Sequence, residues 1–291
     1  MSDDARVVSS AYLRDWRLPD ADDASGKDSR GSVVVIGGAL DTPGAVMLAG
    51  LAALRVGAGR LSIATVAANA SALAVAVPEA AVAPLPATAK GSLGADAADA
   101  CSDLVTDADT VILGPGLRDP DSARELVHSV LDAIGPGTVV VLDALGLTCG
   151  GMDDDARKRL SDRLVATPNH KEARFLLAGD VPDTDLDAAA AIASSLGAVV
   201  TLRSSIAAPD GRRWVDESGN SGLGTSGSGD VLAGAIAGLA ARGATPDQAA
   251  VWGAHVHAEA GERLAARVGR LGFLARELLD ELPAVLTRLE R

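Results

Sequence analysis

Short, mostly apolar runs alternate along this chain with longer stretches whose apolar positions recur at helical spacing. Val33-Val34-Val35-Ile36, Leu61 to Thr65, Thr110 to Leu113, Thr138 to Leu142, Arg163 to Ala166 and Ala198 to Leu202 are four or five residues long. Such runs suit strands buried on both faces. Between them the pattern predicts helices over 45–56, 121–134, 170–177 and 185–196, and two more close the chain at 247–266 and 275–286. Ile206 to Trp214 carries Pro209-Asp210-Gly211 and reads as a hairpin. The opening strand, glycine turn, small-residue helix and second strand over 33–65 form a crossover unit, which implies parallel neighbours. The expectation is a mostly parallel α/β sheet with helices on both faces. No repeat or low-complexity linker divides it, so residues 1–291 read as one domain. The polar, loosely patterned residues 1–30 are a lead-in segment. The alanine-rich stretch from Val66 to Asp107 shows only the connections marked by Pro78, Pro84 and Pro86.

Glycines or polar rim residues follow several strands directly: Gly37-Gly38, Gly114-Pro115-Gly116, Asp143 and Asn169. Ligands of open α/β sheets bind outside the carboxyl ends of the strands, so these residues are expected on one rim. The rim should also hold Gly222-Leu223-Gly224-Thr225-Ser226-Gly227-Ser228-Gly229-Asp230, which runs into the helical, small-residue stretch Val231 to Leu239. The first turn of a helix has amides without partners and a positive dipole end, and glycines let the backbone approach an anion closely. Asp230 is a negative charge placed where an anion would sit. A base taking a proton from a hydroxyl that attacks a phosphate fits that position. The plainer reading is a helix cap by Ser228 or Asp230, which needs one polar residue rather than four glycines, a threonine and two serines in nine positions.

Charge narrows the partners. The 291 residues carry a net charge of -13 with a pI near 4.7, which argues against a nucleic-acid surface. An anionic ligand must then be drawn by loop amides, Lys or Arg, and a divalent metal, which favours metal-complexed nucleotides. Cys101 and Cys149 form no Cys-x-x-Cys pair, and both read as small buried side chains. The polar, acidic N-terminus has no apolar core behind it, and no run is long enough to cross a bilayer; a cytoplasmic protein without membrane partners is expected.

Other residues carry plainer readings, in two cases beside a functional one. Gly37-Gly38 suits a plain turn, and Gly44-Ala45 suits close backbone packing. Asp143 at a strand end suits magnesium, water or phosphate positioning, or a cap for the next turn. Arg203 suits a nucleotide phosphate or an acidic neighbour. Asp153-Asp154-Asp155 reads as a solvated helix start, and Glu172 as a residue orienting a loop or helix start. His255 and His257 point to different faces of one helix, which excludes a paired metal site there and leaves packing.

Taken in order, 33–65, Gly114-Pro115-Gly116, Leu142-Asp143-Ala144, Thr167-Pro168-Asn169 with Glu172, and 222–234 resemble the NAD(P)H-hydrate dehydratases of the ribokinase-like superfamily, over about Gly31 to Leu286. The resemblance implies repair of hydrated NADH or NADPH with ADP or ATP as co-substrate and Mg2+ as cofactor. It implies Asp230 as general base, with the amides of Gly227, Ser228 and Gly229 holding the transferred phosphoryl group. Ala45, Gly116, Asn169 and Asp230 would meet the hydrated dinucleotide. Arg203, Ser204, Ser205, Ile206, Ala207 and Gly229 would meet the nucleotide, and Asp143 the metal. It also implies a homo-oligomer, tetrameric in bacterial relatives, and an epimerase supplied by another protein. The chain departs from the family at Asn169 (usually histidine), Arg203 (lysine), Ser204 (glycine) and Leu145 (often a second aspartate), and its nucleotide hairpin is short. The same Gly-x-Gly-Asp logic serves a kinase acting on an alcohol of a vitamin precursor or sugar. A dinucleotide binder without turnover is a further alternative.

Overall fold

The computed structural model describes residues 5–19, 26–148 and 154–291. The strands are β1 (Arg6–Val8), β2 (Ser32–Ile36), β3 (Arg60–Val66), β4 (Ala80–Leu85), β5 (Thr110–Leu113), β6 (Val139–Leu142), β7 (Leu164–Ala166), β8 (Val199–Leu202), β9 (Ser205–Ala207) and β10 (Arg213–Asp216). The helices before β7 are α1 (Ser10–Asp15), α2 (Pro43–Arg55), α3 (Ala67–Ala76), α4 (Ala95–Ala100), α5 (Ser102–Thr106), α6 (Pro120–Ala133), α7 (Leu145–Thr148) and α8 (Asp154–Arg159). After it come α9 (His170–Leu176), α10 (Asp185–Leu196), α11 (Ser228–Ala241), α12 (Pro246–Arg267) and α13 (Ala275–Glu290).

Among the described residues the strands form one sheet in the order β1-β10-β9-β8-β7-β6-β5-β2-β3-β4. Pairing is parallel from β8 through β4, and antiparallel where β9 joins β8 and β10. Each expected apolar run became a strand because both its faces are buried. Val33, Val35, Ile112, Val141 and Val199 face α2, α11, α12 and α13, while Val34, Ile36, Val111, Val140 and Val200 face α6 and α10. The parallel directions put the ends of β2, β5, β6, β7 and β8 on one rim, and two reversals through the hairpin bring the end of β10 to that rim too.

The lead-in segment has more structure than its polarity suggests. Its first described residues pair parallel with β10 and extend the sheet. Trp16 then stacks on Trp214 at 6.0 Å between ring centroids, and Trp214 Nε1 donates to the Tyr12 hydroxyl at 2.9 Å. We expect Trp16→Ala to lower unfolding stability by about 2 kcal/mol in urea titration, because a stacked aromatic anchor is lost; an unchanged midpoint would refute the anchoring. The stretch from Val66 to Asp107, left unassigned by pattern, contains α3, β4, α4 and α5.

Cys101 is buried, and burial pushes its thiol up to about 11; Cys149 lies outside the described residues, as does Asp153. Asp155 is exposed on α8, in keeping with a solvated helix start. No helix among the described residues is long and apolar enough to cross a membrane.

Candidate active site at the sheet rim

Helix α11 begins at the glycine-rich loop, and its cap is neither serine nor aspartate. Gly227 is the N-cap, in the left-handed region at φ +89°, and no side chain caps the turn. A Cβ there would lie 2.6 Å from Leu48 Cδ1, so both conformation and packing require glycine. The Ser228 amide donates to the Thr225 carbonyl at 3.2 Å. Among the described residues the amides of Gly227, Gly229 and Asp230 have no partner. The open donors of the cradle are therefore these three, rather than the Gly227, Ser228 and Gly229 set expected from sequence.

Asp230 stands in the first turn of α11, half-buried, and burial pushes its carboxyl up to about 6. Across the rim Asp143 follows β6 and is buried, at 6% exposure. Burial, then the charge of Asp230, raise its carboxyl to about 7, against a Thr167 hydroxyl that donates to Oδ1 at 2.8 Å. The backbone around Asp143 is tightly fitted. Ala144 sits at φ +49°, and a Cβ on Gly114 would fall 1.9 Å from the Asp143 carbonyl oxygen.

Ala45 and Gly116 come together where the loop after β5 meets the start of α2. A Cβ on Gly116, at φ +72°, would lie 2.8 Å from the Thr42 carbonyl oxygen and 3.0 Å from Ala45 Cβ. The Thr42 hydroxyl donates to the Gly116 carbonyl at 2.6 Å, and the Gly38 amide donates to the Pro115 carbonyl at 2.7 Å. These contacts tie the loops after β2 and β5 to the start of α2. Asn169 caps α9: its Oδ1 accepts from Lys171 and Glu172 amides, while Glu172 accepts from the Asn169 amide. Glu172 thus orients the helix start, and burial raises its carboxyl above the usual range, partly offset by hydrogen bonds from the Asn169 backbone and side chain.

The stretch 203–207, expected to meet the nucleotide, is less open than its polar start suggests. Ser205, Ile206 and Ala207 are buried, because β9 is paired on both edges and Ile206 enters the core. Only Arg203 and Ser204 are exposed. Arg203 turns the chain at φ +54° and pairs with Asp185 at 3.9 Å beside His170.

A sequence profile described as NAD(P)H-hydrate dehydratase matches residues 33–284. The ADP-dependent (S)-NAD(P)H-hydrate dehydratase of Xanthomonas campestris is 43% identical, over 98% of this chain and 98% of its own length. The chain belongs to the NAD(P)H-hydrate dehydratase family. The crystal structure of the ADP/ATP-dependent NAD(P)H-hydrate dehydratase of Bacillus subtilis, co-crystallized with ATP/Mg2+, superposes with a TM-score of 0.83 at 28% identity, over 99% of this chain and all of that one. A ribokinase-like superfamily protein of Enterococcus faecalis shares the fold, with a TM-score of 0.78 at 24% identity over 99% of this chain and 97% of that one.

Three contacts along the rim escaped the sequence reading. Thr42 and Thr167 hold Gly116 and Asp143 from 74 and 24 residues away. Asp216, at the end of β10, is buried and pairs with His255 Nδ1 at 3.1 Å. Burial opposes its ionisation, but hydrogen bonds from His255 and Ser218 outweigh burial and hold the carboxyl below its usual range. An aspartate closing a strand before a Gly-Asn turn was the available signal.

Proposed function

We propose that this protein dehydrates hydrated NADH or NADPH, using ADP as phosphoryl donor and releasing AMP and phosphate. The observation that carries the reading is Asp230: a carboxyl raised to about 6 by burial, set in the same turn as unpartnered amides. A base of that strength is mostly ionised at neutral pH yet still accepts a proton well. The choice of ADP follows the relative from Xanthomonas campestris, whose name specifies it.

The chemistry balances on these groups. Asp230 takes the proton of the ring hydroxyl as its oxygen attacks the terminal phosphorus of ADP, and the bond to AMP breaks. The amides of Gly227, Gly229 and Asp230 receive the charge on the transferred group. Phosphate is then a good leaving group. The ring nitrogen's electron pair expels it, and loss of a proton from the adjacent carbon restores the ring double bond. Ala45 and Gly116 present a wall of small residues for the hydrated ring, and Asn169 would meet the dinucleotide from the start of α9. Arg203 and Ser204 would meet the nucleotide phosphates, once Arg203 leaves Asp185.

Among the described residues no three His, Cys, Asp or Glu side chains converge as a metal cage. Mg2+ needs none, since it commonly takes one or two carboxylates together with substrate phosphates. Asp143, buried beside a second carboxylate, fits as its protein ligand, and the ion would neutralise phosphate charge there. A cytoplasmic homo-oligomer, tetrameric by resemblance, belongs to the same reading; size-exclusion chromatography with light scattering reads the assembly.

The test supplies hydrated NADH with Mg2+ and either ADP or ATP and follows reduced-nicotinamide absorbance. Recovery, with AMP and phosphate as products of ADP, supports the dehydratase. A stable phosphorylated alcohol would indicate a kinase instead. The rate against pH is expected to fall tenfold per unit on the acid side of a pKa near 6, as Asp230 becomes protonated; a rate flat to pH 4.5 would remove Asp230 as the base.

A further inference from the structure

Behind the phosphate cradle lies a contact that the proposed reaction does not use. Ser228, the first residue of α11, turns its hydroxyl away from the rim and into the protein, where its Oγ lies 3.0 Å from Nε2 of His257 on α12. Both side chains are buried, at 4% and 7% exposure. A serine hydroxyl at this helix position ordinarily has the anion or solvent to bond. Here the imidazole takes it, so Ser228 contributes neither hydroxyl nor free amide to a ligand.

The geometry points to His257 as a positioning residue for the phosphoryl cradle: it fixes Ser228, and through it the amides of Gly229 and Asp230 and the Asp230 carboxylate. Three observations support this. The other flank of the same turn is held separately, by Leu48 and Ala275 against Gly227, so the turn is clamped among α2, α12 and α13 in addition to its own backbone hydrogen bonds. No side chain caps α11, which leaves His257 as the polar side-chain anchor of its first turn. Burial also pushes His257 down to about 4, against a hydrogen bond with the Ser228 backbone, so the ring is neutral at working pH. A neutral ring offers one donor and one acceptor nitrogen, and either tautomer bonds the hydroxyl, which donates to Nε2 or accepts from it. The neighbouring His255 is engaged elsewhere, with Asp216 and Ser218, so it cannot substitute.

The inference rests on the reading of the cradle as the phosphoryl site, and its test separates the two. His257→Leu, His257→Gln and Ser228→Ala are compared with the parent enzyme in hydrate turnover and in binding of inorganic phosphate by calorimetry. His257→Leu and Ser228→Ala are each expected to lose 10- to 100-fold in kcat with KM for ADP within threefold. Both should weaken inorganic phosphate by about tenfold. The glutamine, whose amide reaches the Nε2 position, is expected to restore both to within about threefold. The double variant His257→Leu with Ser228→Ala should be no slower than the worse single one, because both cut the same link. Parent-like kcat and phosphate binding in Ser228→Ala would overturn the inference. So would a glutamine variant as impaired as the leucine one, or losses that multiply in the double variant. Ser228→Ala and His257→Gln remove or replace only the contact, so they decide the matter if His257→Leu fails to fold. A parent protein that leaves hydrated NADH unrepaired, while its phosphate binding still depends on His257 in this pattern, would sink the dehydratase reading and leave the positioning role standing.

Discussion

Asp230→Asn is expected to lower kcat about a thousandfold while making the folded protein more stable at neutral pH. The loss follows from removing the one carboxylate that stands within the turn of open amides, since a positioned base contributes roughly 10²–10⁴ in rate. The gain follows from its titration. Asp230 has an ordinary value of 3.8 and is raised to about 6 by burial. The native state therefore binds more protons than the unfolded chain between about pH 4 and 6, and stability falls as pH rises through that window. Above it the full cost of the buried charge is present. The shift of about two units corresponds to at most about 3 kcal/mol, and partial exposure reduces this to about 1–2 kcal/mol. Asparagine carries no such cost, and it also removes the repulsion that helps raise Asp143. Urea unfolding at pH 7.5 should show the variant above the parent, and at pH 4 the two should coincide. A variant of parental activity would remove the base, and one destabilised at pH 7.5 would mean that the carboxylate is a structural ion-pair partner instead.

The sheet was legible because parallel strands need apolar residues on both faces, and runs such as Val139-Val140-Val141-Leu142 admit little else. The Asp185–Leu196 helix was legible to the residue, with Thr184 capping it and Gly197 in the left-handed conformation ending it. Two strands were not. β1 contributes only Arg6, Val7 and Val8, with Val7 exposed at the sheet edge, so no apolar run marks it. β4 is Ala-Ala-Val-Ala-Pro-Leu, low in strand-forming residues and interrupted by Pro84, which an edge position tolerates. At the site, sequence order identified the glycine loop and Asp230 but not their bonding. Whether Ser228 points outward or toward His257, 29 residues later, depends on where α12 packs. The same holds for Ile206 and Ala207: a hairpin over 206–214 is readable, but pairing of its first strand on both edges is a property of the assembled sheet.

Gly234→Val is expected to destabilise the protein by about 4 kcal/mol or more, with failure to accumulate as folded protein at its extreme. α11 seats on α2 through glycine rather than through side chains. A Cβ on Gly234 would stand 2.1 Å from the Ala49 carbonyl oxygen and 2.8 Å from Ala52 Cβ, and one turn on, a Cβ on Gly238 would stand 2.5 Å from the Ala53 carbonyl oxygen. The obstacle is backbone, which cannot rotate away, so the helices must part and open the apolar layer that includes Val231, Ile236 and Leu239. Overpacking alone costs about 1–3 kcal/mol, and the burial lost as the layer opens adds to it. Gly229→Ala on the same helix is the control: nothing lies within 4 Å of a Cβ there, and alanine favours the helix by up to about 1 kcal/mol. Urea midpoints should therefore move in opposite directions for the two substitutions. Equal shifts would mean that helix propensity, not the seat on α2, governs this element. The milder Gly234→Ala carries the argument to the site. A variant that folds with α11 pushed off α2 displaces its first turn from Asp143, and kcat should then fall by more than its loss of stability accounts for.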